Sequence, residues 1–182
     1  MIGAVLCGGR STRMGRDKAT LEVAGRPMAQ WVARAMAEAG LDPVVALGAR
    51  AEVGLPVVAD AAGIEGPLAA LVAGLRGHES MVVCPCDVPL ISAETLGRLV
   101  VAHGTTQRPA TWAYSDRLEP LIGVYSVEAL ALLEQGWARG ARGPKIALGR
   151  SDVQLVSVSA EEVRNVNTPA DVAAVEGALG RR

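Results

Sequence analysis

The chain has 182 residues, half of them hydrophobic, a formal charge of −1 and no Phe. That length suits one domain with an ample core of mostly Ala, Val and Leu, and near-neutral charge argues against general nucleic-acid binding. No apolar run approaches the roughly 18 residues of a membrane span, and no basic-then-apolar leader opens the sequence, so a cytoplasmic protein is expected. The three cysteines, Cys7, Cys84 and Cys86, are an odd set without a C-x-x-C pair. They read as small buried apolar residues rather than as a disulfide framework or a zinc site.

In chain order, the apolar run Ile2–Leu6 reads as a buried strand that ends at a glycine pair. Residues 21–23 and 25–27 lead into a helix in which Trp31, Val32, Ala35, Met36 and Ala39 recur at helical spacing; Gly40 ends it. Residues 43–47 and 56–59 are further strands, the second running into Asp60. Gly66 and Pro67 open a helix with Leu68, Leu71, Val72 and Leu75 on one face. Residues 81–84 are the next strand, and Ser92 caps a helix to about Val101. Strands alternating with helices predict an α/β fold, a parallel sheet with helices on both faces, whose ligand crevice lies at the strands' carboxyl ends. The first loop, Asp60 and Asp87 all follow strands and can therefore share it.

The second half is less regular. Residues 109–114 and 121–125 read as strands flanking a hairpin, 127–135 as a helix, and 140–144 as a glycine- and arginine-rich loop entering a short helix at 145–148. Residues 153–158 alternate as a half-exposed strand does. Pro169–Leu179 is a last helix, started by Thr168. The two histidines, His78 and His103, sit near helix ends and read as surface residues.

The chemistry concentrates after the first strand, in LCGGRSTRMGRDK (residues 6–18), with three glycines and the cations Arg10, Arg13, Arg16 and Lys18. Glycines let backbone N–H groups close on an anion, and cations around that concavity suit a polyphosphate. The spacing matches neither a P-loop nor a G-x-G-x-x-G dinucleotide turn. Asp87, between Pro85 and Pro89 at a strand's end, can either hold Mg²⁺ or bond its own turn. Asp60 can face a ligand or cap a loop. Asn165 and Asn167 have the spacing that puts two side chains on one side of an extended segment, and their amides both donate and accept.

The loop LCGGRSTRMGRDK resembles the signature of the sugar-nucleotide-type nucleotidyltransferases, and its Met-Gly-x-Asp-Lys ending resembles the molybdenum cofactor guanylyltransferases most. PCDVP (85–89), GPLAAL (66–71), RLEPL (117–121) and RNVNTPAD (164–171) are similar to that family's further segments in matching order across nearly the whole chain. The resemblance implies a three-layer nucleotide-diphospho-sugar-transferase-like, Rossmann-like fold with a mostly parallel central sheet. It implies one domain over residues 1–182, with a nucleotide-binding half (1–102) and an acceptor-binding half (103–182). It implies transfer of GMP from GTP to the phosphate of molybdopterin, with release of pyrophosphate and Mg²⁺ as cofactor. Carried over residue by residue, Leu6, Cys7, Gly8, Gly9, Arg13, Lys18, Asp60, Gly66, Pro67 and Asp87 would bind nucleotide, with Arg13, Lys18 and Asp87 catalytic and Asp87 the metal ligand. Arg117, Glu119, Pro120, Asn165 and Asn167 would bind the acceptor. Proteins that deliver the pterin or receive the finished cofactor are expected partners.

One departure matters. The family's Ala-Asn-Arg stretch is Gly48-Ala-Arg50 here, without the asparagine associated with guanine. Guanine could be read by backbone groups near Gly48 and Leu6, or the base could be cytosine, with a pterin cytidylyltransferase or a transferase for another phosphorylated acceptor as the alternatives.

Overall fold

The structure is a computed structural model that describes residues 1–8 and 17–180. Its first strand, β1 (Ile2–Leu6), is buried along its whole length, which is why it carries no alternation: helices cover both of its faces. After a short 3-10 turn at Lys18–Thr20, the two-residue strands β2 (Glu22–Val23) and β3 (Arg26–Pro27) form a small antiparallel ribbon. Helix α1 (Met28–Glu38) follows, with Pro27 as its N-cap residue. Then come β4 (Val44–Leu47), β5 (Val57–Val58), α2 (Pro67–Leu75) and β6 (Ser80–Pro85). The second half holds α3 (Ala93–Gly104), β7 (Ala110–Tyr114), β8 (Leu118–Ser126), α4 (Glu128–Ala138), α5 (Pro144–Ala147), β9 (Val153–Ser157) and α6 (Pro169–Leu179).

The seven-stranded sheet runs β5-β4-β1-β6-β8-β7-β9. Strands β1, β4, β5 and β6 are mutually parallel, β7 and β9 pair in parallel, and β8 is antiparallel to both its neighbours. The expected mostly parallel α/β architecture is present. One apolar layer lies on the α2/α4 face, including Leu68, Leu71, Met81, Tyr125 and Leu133. The other lies on the α1/α3 face, including Val32, Met36, Ile91, Leu96 and Leu99. A smaller cluster seats α6 through Val175 and Leu179 against Val23, Met28 and Val166.

This topology puts a switch point at the carboxyl ends of β1, β4 and β6. From β1 the chain moves outward to β4 and β5, then crosses through α2 to β6 on β1's other side. The strand order reverses around β1, and open α/β sheets bind ligands outside such a switch point. Backbone bonds tie the tips: Cys7 N–H donates to the Leu47 carbonyl at 2.9 Å, Cys86 N–H to Leu6 at 3.0 Å, and Gly48 N–H to Val58 at 3.0 Å.

The second half differs in detail from its sequence reading. β8 begins at Leu118, not 121, and the connection from β7 shrinks to Ser115–Arg117. A register shift between Trp112 and Ala113 brings Ala113 opposite Glu119. Gly123 permits it, since a Cβ there would lie 2.2 Å from the Thr111 carbonyl oxygen. Helices α3 and α4 each run three residues past their expected ends. His103 is a correction: it is half-buried, with its Nδ1 3.0 Å from Thr111 Oγ1 on β7.

Candidate active site

Two sets of residues meet at the strand tips. The first is largely backbone. Gly8, just past β1, lies against Gly48, just past β4: a Cβ on Gly8 would sit 3.5 Å from the Gly48 carbonyl oxygen. Gly48 has φ +65°, and a Cβ built on it would be 2.8 Å from Asp60 Oδ1. The Asp60 carboxylate, after β5, is thus packed over the bare Cα of Gly48. Gly66 is the N-cap of α2 with Pro67 in its first turn, so the positive end of the helix opens here. Gly8, Asp60 and Gly66 are exposed and Pro67 is half-buried, whereas Leu6 and Cys7 are buried.

The second set is charged. Lys18 Nζ donates to Asp87 Oδ2 at 2.9 Å, and both side chains are largely shielded, at 22% and 17% exposure. The same ammonium donates to Asn167 Oδ1. Three segments far apart in sequence therefore converge on one cation. Each is anchored. Asp17 accepts from Ala19 N–H at 2.9 Å, which fixes the turn carrying Lys18. Asp87 gives its carbonyl to Val166 N–H at 2.8 Å. Asn167 N–H donates to Asp171 Oδ2 at 2.9 Å, within the capping box in which Thr168 starts α6. Those bonds from Asn167 and Thr168 hold the Asp171 carboxyl below its ordinary range.

Beside this cluster a cleft of about 370 Å³ is lined by Ser115, Asp116, Arg117, Arg164, Asn165 and Asn167, with Ala160 and Val163. Of the five residues predicted to bind acceptor, Arg117, Asn165 and Asn167 line it. Glu119, 14% exposed, accepts from Arg117 Nε at 2.7 Å. Pro120 gives its carbonyl to the Tyr125 hydroxyl, a bond inside the sheet. The sequence reading missed Ser115, Asp116 and Arg164, ordinary polar loop residues that only the fold brings to one cleft. Gly9 and Arg13 lie outside the described residues.

The cysteines pack as expected, free and buried. Hydrogen bonding with Cys7, then burial, pushes the Cys86 thiol up, and burial pushes Cys84 up. Cys84 and Cys86 therefore lack the thiolate that a nucleophile needs. Among the described residues no cluster of three or more His, Cys, Asp or Glu could hold a metal.

A mostly parallel sheet with glycines and a lysine–aspartate pair at its strand tips fits a nucleotide-handling α/β domain of the nucleotidyltransferase type. More particularly, the chain belongs to the MobA-like NTP transferase domain family, whose model matches residues 3–155. It is 37% identical over 188 aligned residues to a probable molybdenum cofactor guanylyltransferase of Opitutus terrae, covering 94% of this chain and 92% of that one. It is 33% identical over 180 residues to the molybdenum cofactor guanylyltransferase of Ectopseudomonas mendocina, covering 93% and 89%. Among solved structures it is similar to molybdopterin-guanine dinucleotide biosynthesis protein A of Archaeoglobus fulgidus, with a TM-score of 0.83, 25% identity and full coverage of both chains.

Proposed function

We propose that this nucleotidyltransferase transfers GMP from GTP to the terminal phosphate of molybdopterin, forming molybdopterin guanine dinucleotide and pyrophosphate. Relatives that carry that activity in their names, aligned over more than nine-tenths of the chain, support the reading. The observation that carries it in the structure is the convergence of Lys18, Asp87 and Asn167 beside a cleft, at the strand tips where a triphosphate would lie. Residues 1–102 serve the nucleotide and residues 103–182 contribute most of the acceptor cleft. Among the described residues no helix is long and apolar enough to cross a membrane, and we place the reaction in the cytoplasm.

In the reaction an acceptor phosphate oxygen bonds to the α-phosphorus of GTP while the bond from that phosphorus to the bridging oxygen of the leaving pyrophosphate breaks. The acceptor is already an anion at neutral pH, so no side chain need act as nucleophile. Lys18 faces charge that grows on the departing pyrophosphate, and a fixed cation there lowers the barrier by stabilising it. Arg13, on the glycine-rich loop, takes the same role. Gly8 and the N-terminus of α2 turn backbone toward the nucleotide, and Gly48, whose own N–H is spent on Val58, offers its bare Cα. Arg117 and the two asparagines orient the acceptor for in-line attack.

The donor chemistry fits magnesium. Asp87 Oδ2 and Asn167 Oδ1 are hard oxygens that already face one cation, the Lys18 ammonium, and Mg²⁺ takes few protein oxygens. Asp87 would hold it, and when bound it supplies charge neutralisation on the triphosphate.

Pyrophosphate release with Mg²⁺ and molybdopterin, compared across GTP, CTP, ATP and UTP, tests the reading. Strong preference for GTP is expected, with backbone groups reading the base where the Gly48-Ala-Arg50 stretch lacks the asparagine associated with guanine. Preference for CTP would keep the site and move only the base. Release with none of the four would overturn the assignment.

A further inference from the structure

The acceptor segment reaches past its own cleft. Asn167 lines the cleft with Arg117 and Asn165, yet its Oδ1 accepts from the ammonium of Lys18, 149 residues away in sequence. Its main chain is not free to drift. Val166 is fully buried and donates its N–H to the Asp87 carbonyl, and Asn167 N–H is held by Asp171. Farther back, the segment is pinned to α3 by Thr95 Oγ1 donating to Glu162 at 2.7 Å. The amide oxygen is thus delivered to Lys18 by a rigid frame.

We propose that Asn167 is a positioning residue for the phosphate-binding lysine, linking the acceptor cleft to the nucleotide. An ammonium has three N–H donors. Asp87 takes one and Asn167 a second, so the third keeps a defined direction for a phosphate oxygen. An amide suits this task better than a carboxylate, because it orients the cation without neutralising it. With the amide oxygen gone, Asp87 is the ammonium's one remaining partner among the described residues, and the ammonium swings about that contact. The inference rests on the reading that the site binds a nucleoside triphosphate, but it does not require the acceptor to be molybdopterin.

The test is direct binding of GTP, with Mg²⁺ and without any acceptor, measured by calorimetry on the full chain. Asn167→Ala weakens GTP binding about tenfold, the size of one hydrogen bond to a charged group. In a Lys18→Met background the same substitution changes binding less than twofold, because the contact it acts through is gone. A residue that serves only the acceptor leaves acceptor-free GTP binding unchanged, and that result overturns the proposal. So does a tenfold loss that persists in the Lys18→Met background. If Asn167→Ala does not fold, Asn167→Leu, matched in shape but lacking the acceptor oxygen, is read in the same way. Failure of the parent protein to bind any nucleoside triphosphate would instead sink the functional reading, and this inference with it.

Discussion

The two sides of the crevice are built on different principles. The side formed by Gly8, Gly48 and Gly66 presents main chain, and what matters there is the absence of a side chain: a Cβ at Gly48 would meet Asp60 at 2.8 Å. The opposite side presents the charges of Lys18 and Asp87 with the amide of Asn167, brought together from three segments. Backbone donors are fixed by the sheet and read shape. Charged side chains can follow a charge that appears only as the bond to pyrophosphate breaks. Changes on the first side should therefore act on binding alone, and changes on the second on turnover as well.

The largest expected effect is on the charged side. Asp87→Ala removes the carboxylate proposed to hold Mg²⁺ and leaves Lys18 without its counter-charge, and kcat should fall roughly 10²–10³-fold, the scale seen when one transition-state electrostatic partner is lost. Steady-state pyrophosphate release measures it. A loss confined to GTP KM would break the division, since it would mean that Asp87 serves the bound state and the transition state equally.

On the backbone side the expected effect is smaller and of the other kind. Gly48→Ala forces a Cβ into the left-handed region at φ +65° and onto the Asp60 carboxylate. That conformation costs on the order of 1–2 kcal/mol, and relief requires Asp60 to turn away. The strain lowers stability, and through the displaced Asp60 the GTP KM should rise roughly tenfold, about the loss of one polar contact, with kcat changed much less. A matching drop in kcat would show that this side also grips the transition state.

How much of this was legible depends on where the information sits. The strands around β1 were readable because burial on both faces leaves uninterrupted apolar runs, and α6 because Thr168, Pro169 and Asp171 form a local start signal. Asp60 and Asp87 were expected at the strands' carboxyl ends because each follows an apolar run, and they do follow β5 and β6. The start of β8 was misjudged because the register shift at Trp112 depends on a cross-strand contact at Gly123, not on any local preference. The bond between Lys18 and Asn167 had no sequence signal at all, since neither residue is unusual in its own segment. The cleft residues Ser115, Asp116 and Arg164 were hidden for the same reason: loops carry function through the scaffold that aims them.

His103 offers the smallest effect and the sharpest control, because it belongs to neither side of the crevice. Its imidazole lies between α3 and β7, beside Thr111 Oγ1, and burial lowers its pKa against a smaller opposing pull from Glu128. The folded protein therefore disfavours the charged ring, while the unfolded chain takes up its proton near the ordinary value of about 6.5. Between the two values the unfolded state binds more protons, so stability rises with pH. This contribution is fully present above the ordinary imidazole value and is lost as pH falls through it toward the lowered folded one. Urea midpoints at pH 8 and pH 5.5 should differ by less in His103→Gln than in the parent, while pyrophosphate release per folded molecule at pH 8 stays the same. If instead the substitution altered kcat, the α3–β7 contact would have to transmit to the crevice, and the division between its two sides would no longer account for turnover.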